Sequence, residues 1–115
     1  MRNDIVDILL ELGIPAGVKG FTYIHDALEL FDTDTYYSSG KICSLYADIA
    51  LKRGTTPSSV ERAIRHAIEV AWGRGKMETI DEVFGYTIST GKGKPTNSEF
   101  IALISDKILL EYKKI

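Results

Sequence analysis

Residues 41–72, KICSLYADIALKRGTTPSSVERAIRHAIEVAW, decide the fold of this chain. Apolar residues recur at three- and four-residue steps in the first half, as the buried face of an amphipathic helix requires, at Ile42, Leu45, Tyr46, Ile49 and Ala50. Gly54 ends this helix, and Thr56 followed by Pro57 is typical of the start of the next one. The second helix runs to about Trp72 on a stripe of Val60, Ala63, Ile64, Ala67, Ile68 and Ala71. Two such helices joined by a short glycine-containing turn predict a helix-turn-helix.

Helical patterns also flank this central stretch. Apolar spacing predicts helices over residues 3–12, from about 19 or 21 to 31, and over 77–84. Thr96 and Glu99 have the spacing of a capping box, which predicts a last helix that ends near Tyr112. No segment shows sustained alternation of period two. The sequence therefore predicts an all-α fold of about six helices and no strands, winged-helix-like or of the response-regulator effector type.

The composition is that of an ordinary globular protein. Of the 115 residues, 44% are hydrophobic and 26% are charged, which excludes collagen-like, disordered and disulfide-scaffold classes. This length suits one domain over residues 1–115 rather than two. No apolar run approaches the ~20 residues that cross a bilayer, and the acidic amino terminus lacks the basic and apolar segments of a signal peptide. We therefore expect a cytoplasmic protein without a membrane span.

Charge is distributed unevenly along the chain. Residues 1–40 hold two basic and seven acidic residues, a net charge of −5, whereas residues 41–76 hold seven basic and three acidic residues, a net charge of +4. The remaining basic residues cluster mainly at Lys92, Lys94, Lys113 and Lys114. A polyanion such as nucleic acid is therefore expected to contact the middle third of the chain.

The second helix of the helix-turn-helix carries a polar face opposite its apolar stripe. At 3.6 residues per turn, this face collects Ser58, Arg62, Arg65, His66 and Glu69, with Glu61 at its edge. The small alanines of the apolar stripe allow close packing, so that the long arginines stand clear of the core. A solvated surface helix of mixed charge gives the same pattern. The pattern is therefore consistent with both a DNA-reading helix and an ordinary surface helix.

If the helix reads DNA, the side chains suggest separate roles. An arginine fork matches the O6 and N7 acceptors of guanine, and Arg62 lies in the N-terminal half of the helix, where recognition helices meet bases. Glu61 or Glu69 accepts from cytosine N4, or else pairs with Arg65 four residues away. Arg65 reads a base or holds a phosphate. The remaining candidates for phosphate or edge contacts are Ser58, His66, Lys92, Lys94 and Lys113.

A family resemblance extends over nearly the whole chain. The central run SVERAIRHAIEVAW at 59–72, with Arg74-Gly75 and Phe84-Gly85-Tyr86-Thr87 after it, resembles the DNA-binding effector domain of the stage-zero sporulation response regulator. The run KPTNSEFIA at 94–102 and the upstream run LGIPA at 12–16 resemble the same family.

The resemblance implies a function and several partners. It implies a six-helix domain that binds double-stranded DNA at a TGTCGAA-like promoter element, often in tandem copies, with Glu61 and Arg62 as base readers and Arg65 and His66 on bases or phosphates. It also implies that Phe84 lies near a surface that contacts the RNA polymerase sigma factor, and that the last helix helps protomers to associate as homodimers on adjacent sites. The family's regulator begins with a phosphorylatable receiver domain, whereas this sequence starts in the effector region. We expect either an excised domain or a protein without a receiver.

Enzyme, cofactor and metal sites find little support in the sequence. The run Gly91-Lys92-Gly93-Lys94 lacks the spacing and the preceding strand of a phosphate loop. His25 and His66 are 41 positions apart, without a cysteine or acidic ligand grouping. The single cysteine, Cys43, is expected to be a small buried residue. We therefore expect no enzyme activity, no cofactor and no metal.

The competing interpretation is a protein-interaction module. Such a domain keeps the fold but pairs with another regulator or with RNA polymerase and does not bind specific DNA. The overall charge of −2 favours it mildly, since non-specific DNA affinity comes from phosphate neutralisation. The polar face of the second helix argues against it, because a protein-binding domain has no need of those side chains.

Overall fold

The described part of the chain is entirely helical. The computed structural model describes residues 2–33, 42–74 and 95–112. Within these ranges the chain forms five helices and no strand: α1 (Arg2–Glu11), α2 (Lys19–Thr33), α3 (Ile42–Arg53), α4 (Pro57–Arg74) and α5 (Asn97–Tyr112). The predicted all-α fold is confirmed, and the boundaries predicted for these five helices lie within about two residues of the observed ones. The predicted helix over residues 77–84 lies outside the described residues.

Two glycines end helices in the left-handed backbone region. Gly13 has φ 97° and Gly54 has φ 68°, values that L-residues with a Cβ rarely adopt. After Gly13, the Ile14 amide donates to the Leu9 carbonyl at 3.1 Å, and after Gly54 the Thr55 amide donates to the Ala50 carbonyl at 2.9 Å. These bonds span the last helical turn and satisfy carbonyls that the helix leaves open. Both glycines thus end their helices as the sequence predicts.

Threonine side chains cap the starts of α4 and α5. The Ser59 amide donates to Thr56 Oγ1 at 3.2 Å, which satisfies a free amide in the first turn of α4. At α5, the Glu99 amide donates to Thr96 Oγ1 at 3.2 Å, while the Thr96 amide donates to Glu99 Oε1 at 2.9 Å. This reciprocal pair is the predicted capping box. Both helix starts are therefore fixed by local sequence.

The apolar stripes of the helices meet in one core. In α4, Val60, Ile64, Ala67 and Ala71 are fully buried, and Ile68 is nearly so. They pack with buried residues of the other helices, among them Leu9, Ile24, Leu45 and Phe100. Trp72 is half-buried and its ring lies edge-on to Phe100, with centroids 6.4 Å apart, so it anchors the end of α4 to the core. The side chain of Cys43 lies outside the described residues.

Helices α2 and α4 approach each other closely at Gly20. A Cβ built on Gly20 would lie 2.3 Å from the carbonyl oxygen of Ala63 and 2.6 Å from the Cβ of Ala67. Only glycine on α2 and small residues on α4 permit this approach. The alanines of α4 therefore act as predicted, because they allow the helix to be held close to the core from one side.

No helix in the described ranges is both long enough and apolar enough to span a lipid bilayer.

Candidate nucleic-acid interface

Helices α3 and α4 form the predicted helix-turn-helix. The turn between them is residues 54–56, and Ala50 before it and Val60 after it are 2% and 0% exposed. A small residue at the helix crossing and an aliphatic one at the start of the second helix lock the two helices together. The core thus fixes the direction of α4 relative to the helices behind it.

The polar face of α4 lies at the protein surface. Ser58, Arg62, His66 and Glu69 are exposed. The side chain of Arg65 is 53% exposed, and that of Glu61 is 32% exposed. Because the opposite stripe is buried in the core, the only direction open to these side chains is outward. The predicted separation into a core face and a polar face is therefore present.

Glu61 and Arg65 form an ion pair along α4. Arg65 Nη1 donates to both carboxylate oxygens of Glu61, at 2.6 Å to Oε1 and 3.0 Å to Oε2. This is the i,i+4 pairing that the sequence left open beside a base-reading role for Glu61. Arg62 has no hydrogen bond or ion pair among the described residues, so its guanidinium is not committed to a described partner.

The start of α5 is tied to the same face. Asn97 Nδ2 donates to the backbone carbonyl of Glu61 at 3.0 Å. Beside this bond lies an open groove of about 370 Å³, with Glu61, Arg65 and Tyr46 on one side and residues 95–98 on the other. The polar face of α4 is therefore supported from α5 as well as from the core.

A buried ion pair fastens α2 to the end of α3. Arg53 Nε and Nη2 donate to Asp26 Oδ2 and Oδ1 at 2.7 and 2.8 Å, and Lys52 Nζ lies 3.6 Å from Oδ1. The Asp26 side chain is 2% exposed. Its hydrogen bonds, and then its charge, raise the pKa of Arg53 above the ordinary value. Sequence analysis missed this pair, since its residues are 27 positions apart and nothing local links them.

Asp26 also belongs to a cluster with His25 and Glu29, where one ligand atom from each lies within 4.8 Å of the others. The expectation that neither histidine has an acidic ligand grouping was wrong for His25, because Asp26 is adjacent to it and Glu29 lies one turn further along α2. Both Asp26 oxygens are held by Arg53, and His25 Nδ1 lies 3.4 Å from Glu29 Oε1. The neighbouring guanidinium and ammonium groups oppose a bound cation electrostatically. The His25 side chain is half-buried and lies beside Glu29 on α2.

Four predicted contact residues lie outside the described residues, namely Lys92, Lys94, Lys113 and Phe84.

The fold and its exposed face define a class of protein, an all-α helix-turn-helix domain whose second helix presents a polar surface. The sequence pattern of the family described as "Sporulation initiation factor Spo0A C terminal" matches residues 5–108. The chain belongs to this family of DNA-binding, sporulation-related regulator domains, as its sequence resemblance indicated. It is a DNA-binding family and not an enzyme family.

Proposed function

We propose that this chain is a sequence-specific transcription regulator that reads a TGTCGAA-like promoter element through α4 in the major groove. The observation that carries the proposal is the exposed polar face of α4, held on a helix whose opposite face is buried. A major groove about 12 Å wide admits one α-helix, and its base edges offer the acceptors and donors that these side chains match. The chain acts as one helix-turn-helix unit.

Arg62 is the principal base reader in this proposal. It is exposed, and its guanidinium has no partner in the described part of the chain. A free guanidinium fork can donate two parallel hydrogen bonds to guanine O6 and N7 without first breaking an ion pair. Arg62 therefore reads the guanine of the element.

Arg65 and Glu61 act as a pair beside it. Glu61 holds Arg65 Nη1, which leaves the other N–H groups of the guanidinium available to a base or a phosphate. Ser58 and His66 are exposed on the same face and are placed to contact phosphates, and Glu69, exposed between them, is placed to contact a phosphate or a base edge. Lys92, Lys94 and Lys113 supply further phosphate contacts.

Two protein contacts complete the proposal. Phe84 contributes to a surface for the RNA polymerase sigma factor, and the chain forms homodimers on tandem elements through its last helix. Both follow from the family resemblance of the sequence around Phe84 and over 94–102.

Replacing Arg62 tests the base-reading assignment. In Arg62→Ala, the binding free energy that favours the guanine-containing element over a scrambled duplex is expected to fall by roughly 1–3 kcal/mol, because no guanidinium is left to distinguish guanine from another base. Fluorescence anisotropy with both duplexes measures the preference. The melting temperature should stay unchanged, since Arg62 is exposed and contacts no described residue.

Lys52→Ala is the matched control. It removes one exposed positive charge from α3 and leaves the α4 face intact, so the preference for the element should remain. Unchanged preference in Arg62→Ala would show that α4 does not read the guanine through this residue. Equal weak binding of the wild-type protein to every duplex would favour the protein-interaction module.

A further inference from the structure

A second basic surface lies beside the helix-turn-helix, apart from the α4 face. An open groove of about 360 Å³ runs between the start of α2 and the turn, and it is lined by Lys19, Thr22, Tyr23, Arg53, Gly54 and Thr55. Two of these residues are cationic, and two threonines and a tyrosine add hydroxyl groups. The lining contains no acidic side chain.

Arg53 is ordered in advance on one edge of this groove. Asp26 accepts from its Nε and Nη2, and the Arg53 side chain is 38% exposed although Asp26 is buried. An arginine has five N–H donors, and Asp26 takes two of them. The other three, including both on Nη1, have no partner among the described residues. The guanidinium is therefore positioned without losing its capacity to bind a second anion.

The charge of the groove is positive despite the ion pair. Asp26 neutralises one charge and the charge of Glu29 also acts on Arg53, but Arg53, Lys52 and Lys19 carry three positive charges against these two acids. Lys19 is exposed and has no ion-pair partner in the described ranges. The groove thus carries the electrostatics of an anion-binding surface.

The position of the groove indicates which anion it binds. Gly54 and Thr55 line it, and Thr56 directly after them caps the start of α4. If the N-terminal half of α4 lies in a major groove, the DNA strand that borders that groove passes close to this turn. Phosphates of that strand are then the nearest polyanion.

We propose that the groove between α2 and the turn binds a phosphodiester of the DNA backbone, through Lys19 and the Arg53 guanidinium that Asp26 orients. This inference rests on the proposed function for the direction of approach. The contact positions α4 and is independent of DNA sequence, since phosphates carry no base information.

The test compares salt dependence in two variants. The affinity of Lys19→Gln and of Lys52→Gln is measured by anisotropy on the element and on a scrambled duplex, over a series of salt concentrations. Lys19→Gln is expected to reduce the slope of log K against log salt by about 0.9 on both duplexes, which is a loss of roughly eightfold at 0.1 M salt. The preference for the element should not change.

Lys52→Gln removes the same charge one residue before Arg53, but Lys52 does not line the groove. The slope of log K against log salt should therefore fall in Lys52→Gln by less than half of the fall expected for Lys19→Gln. Two results overturn the proposal. An unchanged slope in Lys19→Gln would show that Lys19 contacts no phosphate. An equal fall of the slope in both variants would show that the lysines act only through the overall positive charge of the surface.

A charge-neutral double variant tests Arg53 itself. Asp26→Asn with Arg53→Gln keeps the net charge and offers a hydrogen-bonded neutral pair in place of the ion pair. If it folds, a lower slope supports a guanidinium–phosphate contact and an unchanged slope overturns it; if it does not fold, the lysine pair decides. If the wild-type protein showed no preference for the element, the proposed function would fail. That result is distinct from failure of the phosphate contact, because the salt slopes are measured on the element and on the scrambled duplex alike.

Discussion

The sequence left two roles open for Glu61, a base contact or an ion pair with Arg65, and the ion pair is present in the structure. Both of its carboxylate oxygens accept from Arg65 Nη1.

 In the free protein this pair holds the guanidinium in place before DNA arrives, which lowers the entropy that Arg65 loses on binding. We therefore expect Glu61 to act through Arg65 and not through a base of its own.

A double-mutant cycle tests this coupling. Glu61→Gln and Arg65→Gln should each weaken binding to the element. The double variant should bind almost as tightly as the weaker-binding single variant, because both substitutions disrupt the same contact. Anisotropy on the element gives the four affinities. Strictly additive losses would instead assign Glu61 its own base contact. The melting temperature should hardly move, since exposed i,i+4 pairs contribute only about 0.3–0.5 kcal/mol.

Asp26 differs from Glu61 because it is buried. Asp26→Asn is expected to lower the free energy of unfolding by roughly 1–3 kcal/mol, since the amide cannot accept from both Arg53 nitrogens and the guanidinium loses its counter-charge. Urea unfolding measures the loss. Lys52→Gln, which breaks only the longer and more exposed contact, should cost less than about 1 kcal/mol. Equal losses in the two variants would contradict a special role for the buried fork.

At the scale of elements, the contact of α2 with α4 is the most demanding in the described fold. Gly20→Ala would place a methyl group against the Ala63 carbonyl, which is backbone and cannot turn aside, so the two helices must separate. The expected cost is about 1–3 kcal/mol or more in the free energy of unfolding. Urea unfolding and the affinity for DNA should fall together, because α4 is displaced.

Gly73→Ala is the control for that substitution. Gly73 is also helical, but a Cβ there meets no atom of the described residues within 4 Å, so alanine should stabilise the protein by roughly 0.5–1 kcal/mol through its higher helix propensity. Destabilisation by both substitutions would show that glycine is needed for some reason other than the close approach of α2 to α4.

Local signals predicted the elements well, and long-range contacts escaped prediction. The caps at Thr56 and Thr96, the glycine ends and the apolar stripes all act within a few residues, so the sequence alone places them. The Asp26–Arg53 pair and the Asn97 bond to Glu61 join residues 27 and 36 positions apart. Nothing in a local pattern says which acid will meet which base. The polar face of α4 was therefore predictable from the sequence, whereas the long-range contacts that hold the helices in place were not.

At the scale of the whole molecule, the distribution of charge sets how DNA is approached. The chain has a net charge of −2, with −5 in residues 1–40 and +4 in residues 41–76. The acidic end repels a polyanion and the basic middle attracts it, so the protein should approach DNA with one orientation favoured.

The low net charge predicts weak non-specific binding. If protomers associate on DNA as proposed, titration against duplexes that carry one element, two elements and none should show tighter binding to two elements than to one, because the second protomer then gains a contact with the first. Affinity for all duplexes should fall with salt. Independent binding to each of two elements would contradict association of protomers on DNA.

The bond from Asn97 to the Glu61 carbonyl makes one side chain a natural reporter on the position of α4. Only one of the two Nδ2 protons can point at that carbonyl, so the pair should give well-separated amide resonances in a heteronuclear spectrum. A shift or tilt of α4 relative to the start of α5 changes that distance. The proposed docking on DNA can thus be followed at a single resonance pair, without attaching a label to the polar face of α4.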